Sequence, residues 1–379
     1  MDDVYIQSLE LHKKNRGKIE VVSKVPLTSR AELSLAYTPG VAEVSREIGR
    51  DAGLAYEYTI KGNTIAIVSD GSAILGLGNL GAHAAIPVME GKAAIFKEFA
   101  NIDAFPICVN TQDVEEIIAL VKNIAPVFGG INLEDISAPR CFEIEERLRT
   151  ELPIPVMHDD QHGTATVVLA GLINALKLRG SNKEDVRVVM SGAGAAGTAI
   201  TKILLAYGFK HFVICDTEGA IYEGRTRLNP EKQALAKVTN RDDKRGTLAE
   251  VLHGADIFIG VSKPGLLTKE MVHTMAEKPI IFALANPVPE IMPDVAKEAG
   301  AFVVATGRSD FPNQINNSLA FPGIFRGALD HRIKQFNEEM FVHAAEALAG
   351  YVKDPQPDQV LPSMFDKGVA DVVMEVIRD

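Results

Sequence analysis

Apolar positions along this chain follow two alternating rhythms. Short runs at 64–68, 107–109, 130–133 and 154–157 are bounded by Gly, Pro, Asn or Asp, as buried strands are. Between two of them, Val114, Ile117, Ile118 and Val121 share one face of a helix. The alternation resumes at 186–190 and continues through 212–215, 257–261, 280–283 and 302–305, each run preceded by a helix-length segment. Strands alternating with helices predict parallel sheets, because each parallel strand must be reached by a crossover. The expected fold class is α/β: a Rossmann-type doubly wound parallel sheet domain preceded by a smaller α/β domain. The boundary is expected near 160–165, before a helix starting around Thr164. Residues 1–162 then form the first unit and 163–345 the second, with a helical tail, 346–379, folding back on the first.

Directly after the run 186–190 stands Gly192-Ala193-Gly194-Ala195-Ala196-Gly197. In a dinucleotide site the first glycine makes the tight turn, the second admits a pyrophosphate, and the third lets the next helix pack closely. That helix, expected at 198–207 with Gly208 after it, would point unpaired N–H groups at the phosphates. The run 212–215 ends in Asp216, about 20 residues past the glycines, where an acid bonds ribose hydroxyls. Strand, glycines, helix, strand and acid in this order point to a bound dinucleotide. A second match, Gly76-Leu77-Gly78-Asn79-Leu80-Gly81, lies too far from its nearest strand to be a pyrophosphate turn. It reads as a loop opening a helix and lining a cleft.

Composition narrows the class. The chain has 379 residues, room for two domains, and a formal net charge of −11 without a basic cluster, which argues against a nucleic-acid partner. Three scattered cysteines, Cys108, Cys141 and Cys215, suit a reducing compartment. The start, Met1-Asp2-Asp3-Val4, lacks the order of a signal peptide, and the apolar stretch 164–178 is broken by Asn174 and Lys177. A cytoplasmic protein without a membrane partner is expected.

Three carboxylates stand at strand ends in the first half: Glu134, Asp135 and Asp160. Such oxygens attract a hard divalent cation, Mg2+ or Mn2+, although on spacing alone they could equally be solvated or cap helices. In His158-Asp159-Asp160-Gln161-His162 two histidines stand four apart, as in zinc hydrolases. The flanking Pro153, Pro155 and Gly163 and the missing glutamate argue for structural histidines instead. Lys92 follows Gly91 among largely apolar neighbours, and burial could depress its pKa enough to make it a base. Tyr37 precedes the turn Thr38-Pro39-Gly40. Taken singly, either is as well read as an ordinary turn tyrosine or surface lysine.

Taken together, these segments resemble the malic enzymes of the short bacterial type. The resemblance runs from about residue 20 to 330 through Tyr37-Thr38-Pro39-Gly40, Asp70-Gly71, 74–81, Gly91-Lys92, Glu134-Asp135, 158–164, the glycine fingerprint, Ala285-Asn286-Pro287, Asn316-Asn317 and Phe321-Pro322-Gly323. It implies divalent-metal-dependent oxidative decarboxylation of L-malate to pyruvate and CO2 with reduction of NAD(P). Glu134, Asp135 and Asp160 would hold the metal. Lys92 would take the C2 hydroxyl proton as hydride passes to the nicotinamide, with Asp159 holding or tuning it. Tyr37 would protonate C3 of the enol. Asn286 would contact cofactor or substrate, and Asn316 and Asn317 substrate; a homodimer is implied.

Larger relatives carry an arginine that clamps a substrate carboxylate where Ala73 stands, so another group must do this here, an asparagine or a lysine, from this chain or a neighbouring subunit. Asp216 favours NAD over NADP, since the nearest following arginine, Arg225, is nine residues on; NADP stays open. Two other functions stay open as well. A malolactic-type enzyme would keep its cofactor and release lactate, and a silent dinucleotide sensor would need neither Lys92 nor the metal.

Overall fold

The computed structural model describes residues 2–378; Met1, on which the reading of the N-terminus partly rests, and Asp379 lie outside them. Strands β1 (Thr64–Ser69), β2 (Asp103–Cys108), β3 (Gly130–Leu133) and β4 (Val156–His158) form a parallel sheet in the order β2-β1-β3-β4. A second sheet holds β5 (Arg187–Ser191), β6 (His211–Asp216), β7 (Gly219–Ala220), β8 (Ile257–Gly260), β9 (Ile280–Ala283) and β10 (Val303–Thr306) in the order β10-β9-β8-β5-β6-β7. Its pairs are parallel except β6 with β7, a two-residue return too short to leave an apolar run.

Each sheet is wound outward from an inner strand. β1 has β2 on one side and β3 on the other, and β5 likewise separates β6 from β8. Crevices open past the carboxyl ends of strands at such reversals, where ligands bind. All six residues of β1 are buried, which is why the run has no polar face.

The helix expected from Thr164 begins earlier, at Asp159, and runs to Arg179. Pro153 and Pro155 precede β4 and so do not disturb it. Asp159 and Asp160 occupy its first turn, where unpaired N–H groups favour negative charge. A domain limit at 162/163 therefore falls inside one continuous helix. It packs along the cofactor helix Ala195–Tyr207, so the element that carries two site acids also ties the two units together. The limit at 345/346 likewise cuts helix Glu338–Tyr351, which lies on helix Asp159–Arg179. Helix Val369–Met374 then packs on Phe321–Asp330 and touches Ala82–Ala100 of the first unit.

Asn174, the polar interruption of the apolar stretch, is buried and donates to the carbonyls of Ala349 and Val360, both at 2.9 Å. One hydrophobic cluster runs from Ile65, Met89 and Phe96 through Phe321 and Phe325 to Met190 and Phe282. It joins residues of both sheets in one continuous apolar core.

Candidate active site

β3 and β4 are neighbours with Leu133 opposite His158, so the acids that follow each strand meet. Glu134, Asp135 and Asp160 offer oxygens within 4.8 Å of one another. Asp135 turns the chain in the left-handed region, at φ 54°, and its N–H donates to Asp160 Oδ2 at 2.8 Å. Asn132 Nδ2 donates to Glu134 Oε2 at 2.9 Å. Burial, then the charge of Asp160, pushes the Asp135 carboxyl up to about 8, and burial drives Glu134 well above the usual carboxylate range despite Lys92. Asp135 Oδ2 is buried with no hydrogen-bond partner. Crowded hard oxygens with an orphaned lone pair fit a divalent cation.

Lys92 lies in helix Ala82–Ala100 with only 7% of its surface exposed. Its Nζ is bonded to Asp159 Oδ2, stands 2.7 Å from Glu134 Oε1, and rests 4.3 Å from the centre of the Phe321 ring. Burial alone would lower its pKa, but Asp159, Glu134 and Asp160 outweigh it and hold the ammonium charged. The expected depression is therefore not what the protein's own groups produce: three carboxylates surround the amine. Asp159 is fully buried, and its second oxygen, Oδ1, has no partner.

Lys92, Glu134, Asp135 and Asp160 line a cleft of about 640 Å³. Asn286, Asn316 and Asn317 line it too, as do Ala196, Val261 and Ser262 beside the second sheet's reversal. Asn316 is partly engaged, since its Oδ1 accepts the N–H of Ser318 at 2.9 Å. The second glycine copy belongs to this cleft: a Cβ at Gly76 would stand 2.4 Å from the carbonyl of Asn286, so the loop crosses against the other unit. Tyr37 does not line the cleft; it sits at the end of helix Arg30–Ala36, two-thirds exposed. His12 and Lys18 do line it and were missed, because nothing in their local sequence marks them. Lys18 Nζ donates to the carbonyl of Pro87 at 2.5 Å, and its backbone N–H donates to Glu90.

The paired histidines make no metal site. Both His158, which caps the helix, and His162 are placed at its start, but His162 stacks on Phe341 at 4.6 Å with Nε2 3.0 Å from Glu145. Among the described residues, Glu134, Asp135 and Asp160 are the one group able to hold a metal.

The glycine fingerprint has the geometry its residues require. Gly192, at φ 115°, would put a Cβ 2.7 Å from the Val261 carbonyl, and Gly197 would put one 2.0 Å from that of Gly192. Gly194 faces open space, where backbone can approach a ligand. The helix begins at Ala195, three residues sooner than expected, so Ala195 and Ala196 already belong to its first turn and Ala193 to the loop before it. Ser191 pairs with Cys215, and Gly192 N–H donates to the Cys215 carbonyl at 2.9 Å, which sets Asp216 beside the loop. Asp216 is not a bare acid. Its Oδ2 accepts from Arg225 at 2.6 Å and from Lys232 at 2.7 Å. The β6–β7 return folds Arg225 back, so distance along the chain misjudged distance in space.

Two family patterns cover the chain: "malic enzyme, N-terminal domain" matches residues 16–149, and "malic enzyme, NAD binding domain" matches 161–378. The chain belongs to the malic enzymes. This malic enzyme is similar to the bifunctional malic/malolactic enzyme of Bacillus subtilis, with 58% identity over 374 residues, 98% of this chain and 91% of that one. It is also 58% identical, over 95% of its length and 76% of the relative's, to the NAD-dependent malic enzyme of Geobacillus stearothermophilus. The NADP-dependent malic enzyme of Escherichia coli is 49% identical over 98% of this chain, which spans 49% of that longer protein. Among solved structures, the NAD-dependent malic enzyme of Thermotoga maritima superposes with a TM-score of 0.95 at 51% identity, over 98% of each chain. The Rossmann-type domain after a first α/β domain is thus the family's arrangement. The NAD-binding pattern takes in the tail that sequence spacing had set apart.

Proposed function

We propose that this malic enzyme oxidises L-malate with NAD(P) and releases pyruvate and CO2. One observation carries the reading: a buried lysine, held by Asp159 and Glu134, opens onto the same cleft as three clustered acids and the reversal of the dinucleotide sheet. Glu134, Asp135 and Asp160 would hold Mg2+ or Mn2+, which when bound supplies positive charge toward malate's C2 oxygen and an adjacent carboxylate. A divalent cation on Glu134, Asp135 and Asp160 would offset the carboxylate charge that keeps Lys92 protonated, and Lys92 in its neutral form would take the C2 hydroxyl proton as hydride passes from C2 to the nicotinamide. Asp159 fixes the amine's position from behind, and the Phe321 ring keeps water from its other side. Asn286 and Asn317 orient the nicotinamide and the substrate through their amides. Gly192 to Gly197 receive the pyrophosphate.

With alanine at position 73, Lys18 is the cleft cation left to pair with malate's second carboxylate, because Lys92 is already held between acids. Tyr37 donates the proton to C3. Since it does not line the cleft of its own chain, that role calls for a second copy, and exposed Val21, Val22 and Leu35 supply apolar surface for such a homodimer. No described helix is long and apolar enough to cross a membrane, and the three free cysteines fit a cytoplasmic enzyme.

The name of the Bacillus subtilis relative favours a second reading, a malolactic reaction in which the same groups act and the cofactor is retained. Incubation with L-malate, Mn2+ and either NAD or NADP, followed by product identification, separates the two. Pyruvate with reduced nucleotide supports the first and lactate the second; neither product with either nucleotide would sink both.

A further inference from the structure

We propose that Glu290 positions the nicotinamide end of the cofactor groove by tying the loop after β8 to the loop after β9; this rests on the dinucleotide site proposed above.

The geometry begins at two strand ends. β8 and β9 are neighbours and finish level, with Gly260 opposite Ala283. The chain leaving β8, at Val261 and Ser262, and the chain leaving β9, from Leu284 to Asn286, both line the cleft. The N–H of Leu284 still reaches the Gly260 carbonyl at 2.9 Å. Beyond that bond the N–H groups of Ser262 and Ala285 need other acceptors. Glu290, in the loop that follows β9, supplies both. Its Oε1 accepts from Ser262 at 2.9 Å and its Oε2 from Ala285 at 3.0 Å.

The carboxylate has little freedom to do anything else. Glu290 is fully buried, and its backbone carbonyl accepts the N–H of Leu267 at 3.0 Å, which holds its own chain from a third segment. A Cβ at Gly260 would stand 2.3 Å from Cδ of Glu290, so glycine leaves the space in which the carboxylate lies between the loops. Burial pushes its pKa up, and the N–H groups of Ser262 and Ala285 pull the other way. A buried acid is costly. An apolar side chain would fill the space at less cost but could not hold two N–H groups.

Each tied loop bears on a different part of the cofactor site. Ser262 Oγ lies 2.9 Å from Oγ of Ser191, the residue before Gly192, and the Val261 carbonyl is the group that a Cβ at Gly192 would strike. On the other side, the Asn286 carbonyl packs on Gly76. One carboxylate thus sets the distance between the pyrophosphate turn and Asn286. Glu290 does not itself line the cleft, so it acts through those two groups. Its effect falls on the alignment of the nicotinamide with C2 of malate, where a misplacement of about 1 Å costs about a hundredfold in rate.

Glu290→Gln is the sharpest change, because it keeps the volume and removes one acceptor: the new NH2 group must face an N–H. Glu290→Asp is the second variant, since it keeps the charge but is a methylene too short to span both loops. The full-length protein is titrated with ADP-ribose by calorimetry and with NADH by nicotinamide fluorescence, without malate or metal. ADP-ribose fills the adenosine and pyrophosphate parts of the groove and lacks the nicotinamide. Both variants should bind ADP-ribose within about twofold of wild type and NADH about tenfold or more weakly, as expected when a buried donor is left unpaired. Turnover of malate should fall about a hundredfold, and the primary isotope effect on kcat with malate deuterated at C2 should rise as hydride transfer becomes the slow step. Equal losses for ADP-ribose and NADH, or loss of both through failure to fold, would make Glu290 a support of the whole domain and overturn the inference. Unchanged NADH affinity and turnover in both variants overturn it too. A wild type that binds neither ADP-ribose nor NADH overturns the dinucleotide reading itself, whereas one that binds both but does not oxidise malate overturns the reaction and leaves the NADH-to-ADP-ribose comparison to decide the role of Glu290.

Discussion

A Cβ built at Gly163 would stand 1.8 Å from Oδ1 of Asp159, the carboxylate whose other oxygen holds Lys92. The two residues are one helical turn apart, and no left-handed φ is recorded at Gly163. The glycine is there for room. It lets a buried carboxylate fold back along its own helix and face the lysine.

Gly163→Ala should therefore damage turnover although alanine is the better helix former by about 1 kcal/mol. The methyl group must push Asp159 aside, and displacement of this kind costs about a hundredfold in rate. Overpacking adds about 1–3 kcal/mol of destabilisation. Steady-state kinetics with an NADH titration in parallel checks it: kcat should fall while NADH affinity holds. An unimpaired kcat would show that Asp159 has somewhere else to go.

The acid cluster predicts a thermal signature that needs neither substrate nor nucleotide. Mn2+ should stabilise the protein by about 2.7 kcal/mol at a hundred times its dissociation constant, raising Tm by a few degrees. Asp135→Asn removes the carboxylate whose Oδ2 has no protein partner, and should abolish the Mn2+ shift without lowering the metal-free Tm. Differential scanning calorimetry of both proteins with and without Mn2+ reads this directly. A shift of equal size in the variant would place the cation elsewhere.

Much of this was legible in the sequence, and the failures share a cause. Short continuous apolar runs marked nine of the ten strands, because burial on both faces leaves little choice of residue in β1 or in β5 after Arg187. Glu134, Asp135 and Asp160 were visible as acids at strand ends. What the chain hid were relations across long separations. Arg225 looked remote from Asp216 until β7 folded it back, and Lys18 meets the cleft from a segment with no periodic signal. The helix at Asp159 was started late because its first turn is polar, which is what a helix N-terminus facing a charged site requires. Burial of Lys92 can be read locally, but the three carboxylates that face it come from distant segments and cannot.

Lys18 offers a test of how the substrate is gripped. Its ammonium is fixed by the Pro87 carbonyl and lies 3.8 Å from where a Gly91 Cβ would be, one residue from Lys92. Lys18→Met should raise KM for malate about tenfold or more, as expected for one lost charge-assisted bond, with a smaller effect on kcat. Lys18→Arg should recover most of the loss. A KM that does not move in the Met variant would assign the second carboxylate to another group.

Glu145 gives the fold a dependence on pH. Burial disfavours its charged form, but His162, together with hydrogen bonds including the N–H of His158 at 2.9 Å, lowers its pKa below the ordinary 4.5. A folded value below the unfolded one means that its stabilisation is complete above about pH 4.5 and is lost as pH falls through the folded value. Glu145→Gln should cost stability near neutrality, and the gap between variant and wild type should close below pH 4.5. Tm measured against pH for both proteins tests the sign; a gap that widens in acid would reverse it.

The exposed Tyr37 makes the strongest demand on quaternary structure. Tyr37→Phe and Lys92→Ala should each abolish turnover alone, and Lys92→Ala should keep its NADH binding. If the tyrosine serves the partner's cleft, a mixed dimer of the two variants rebuilds one intact site: the chain carrying Tyr37→Phe keeps its Lys92 and borrows the tyrosine of the other chain. Random mixing makes half the dimers mixed, so about a quarter of wild-type activity should return after co-refolding or co-expression. If each chain used its own tyrosine, every site in every dimer would lack one of the two groups, and the mixture would stay as inactive as its components.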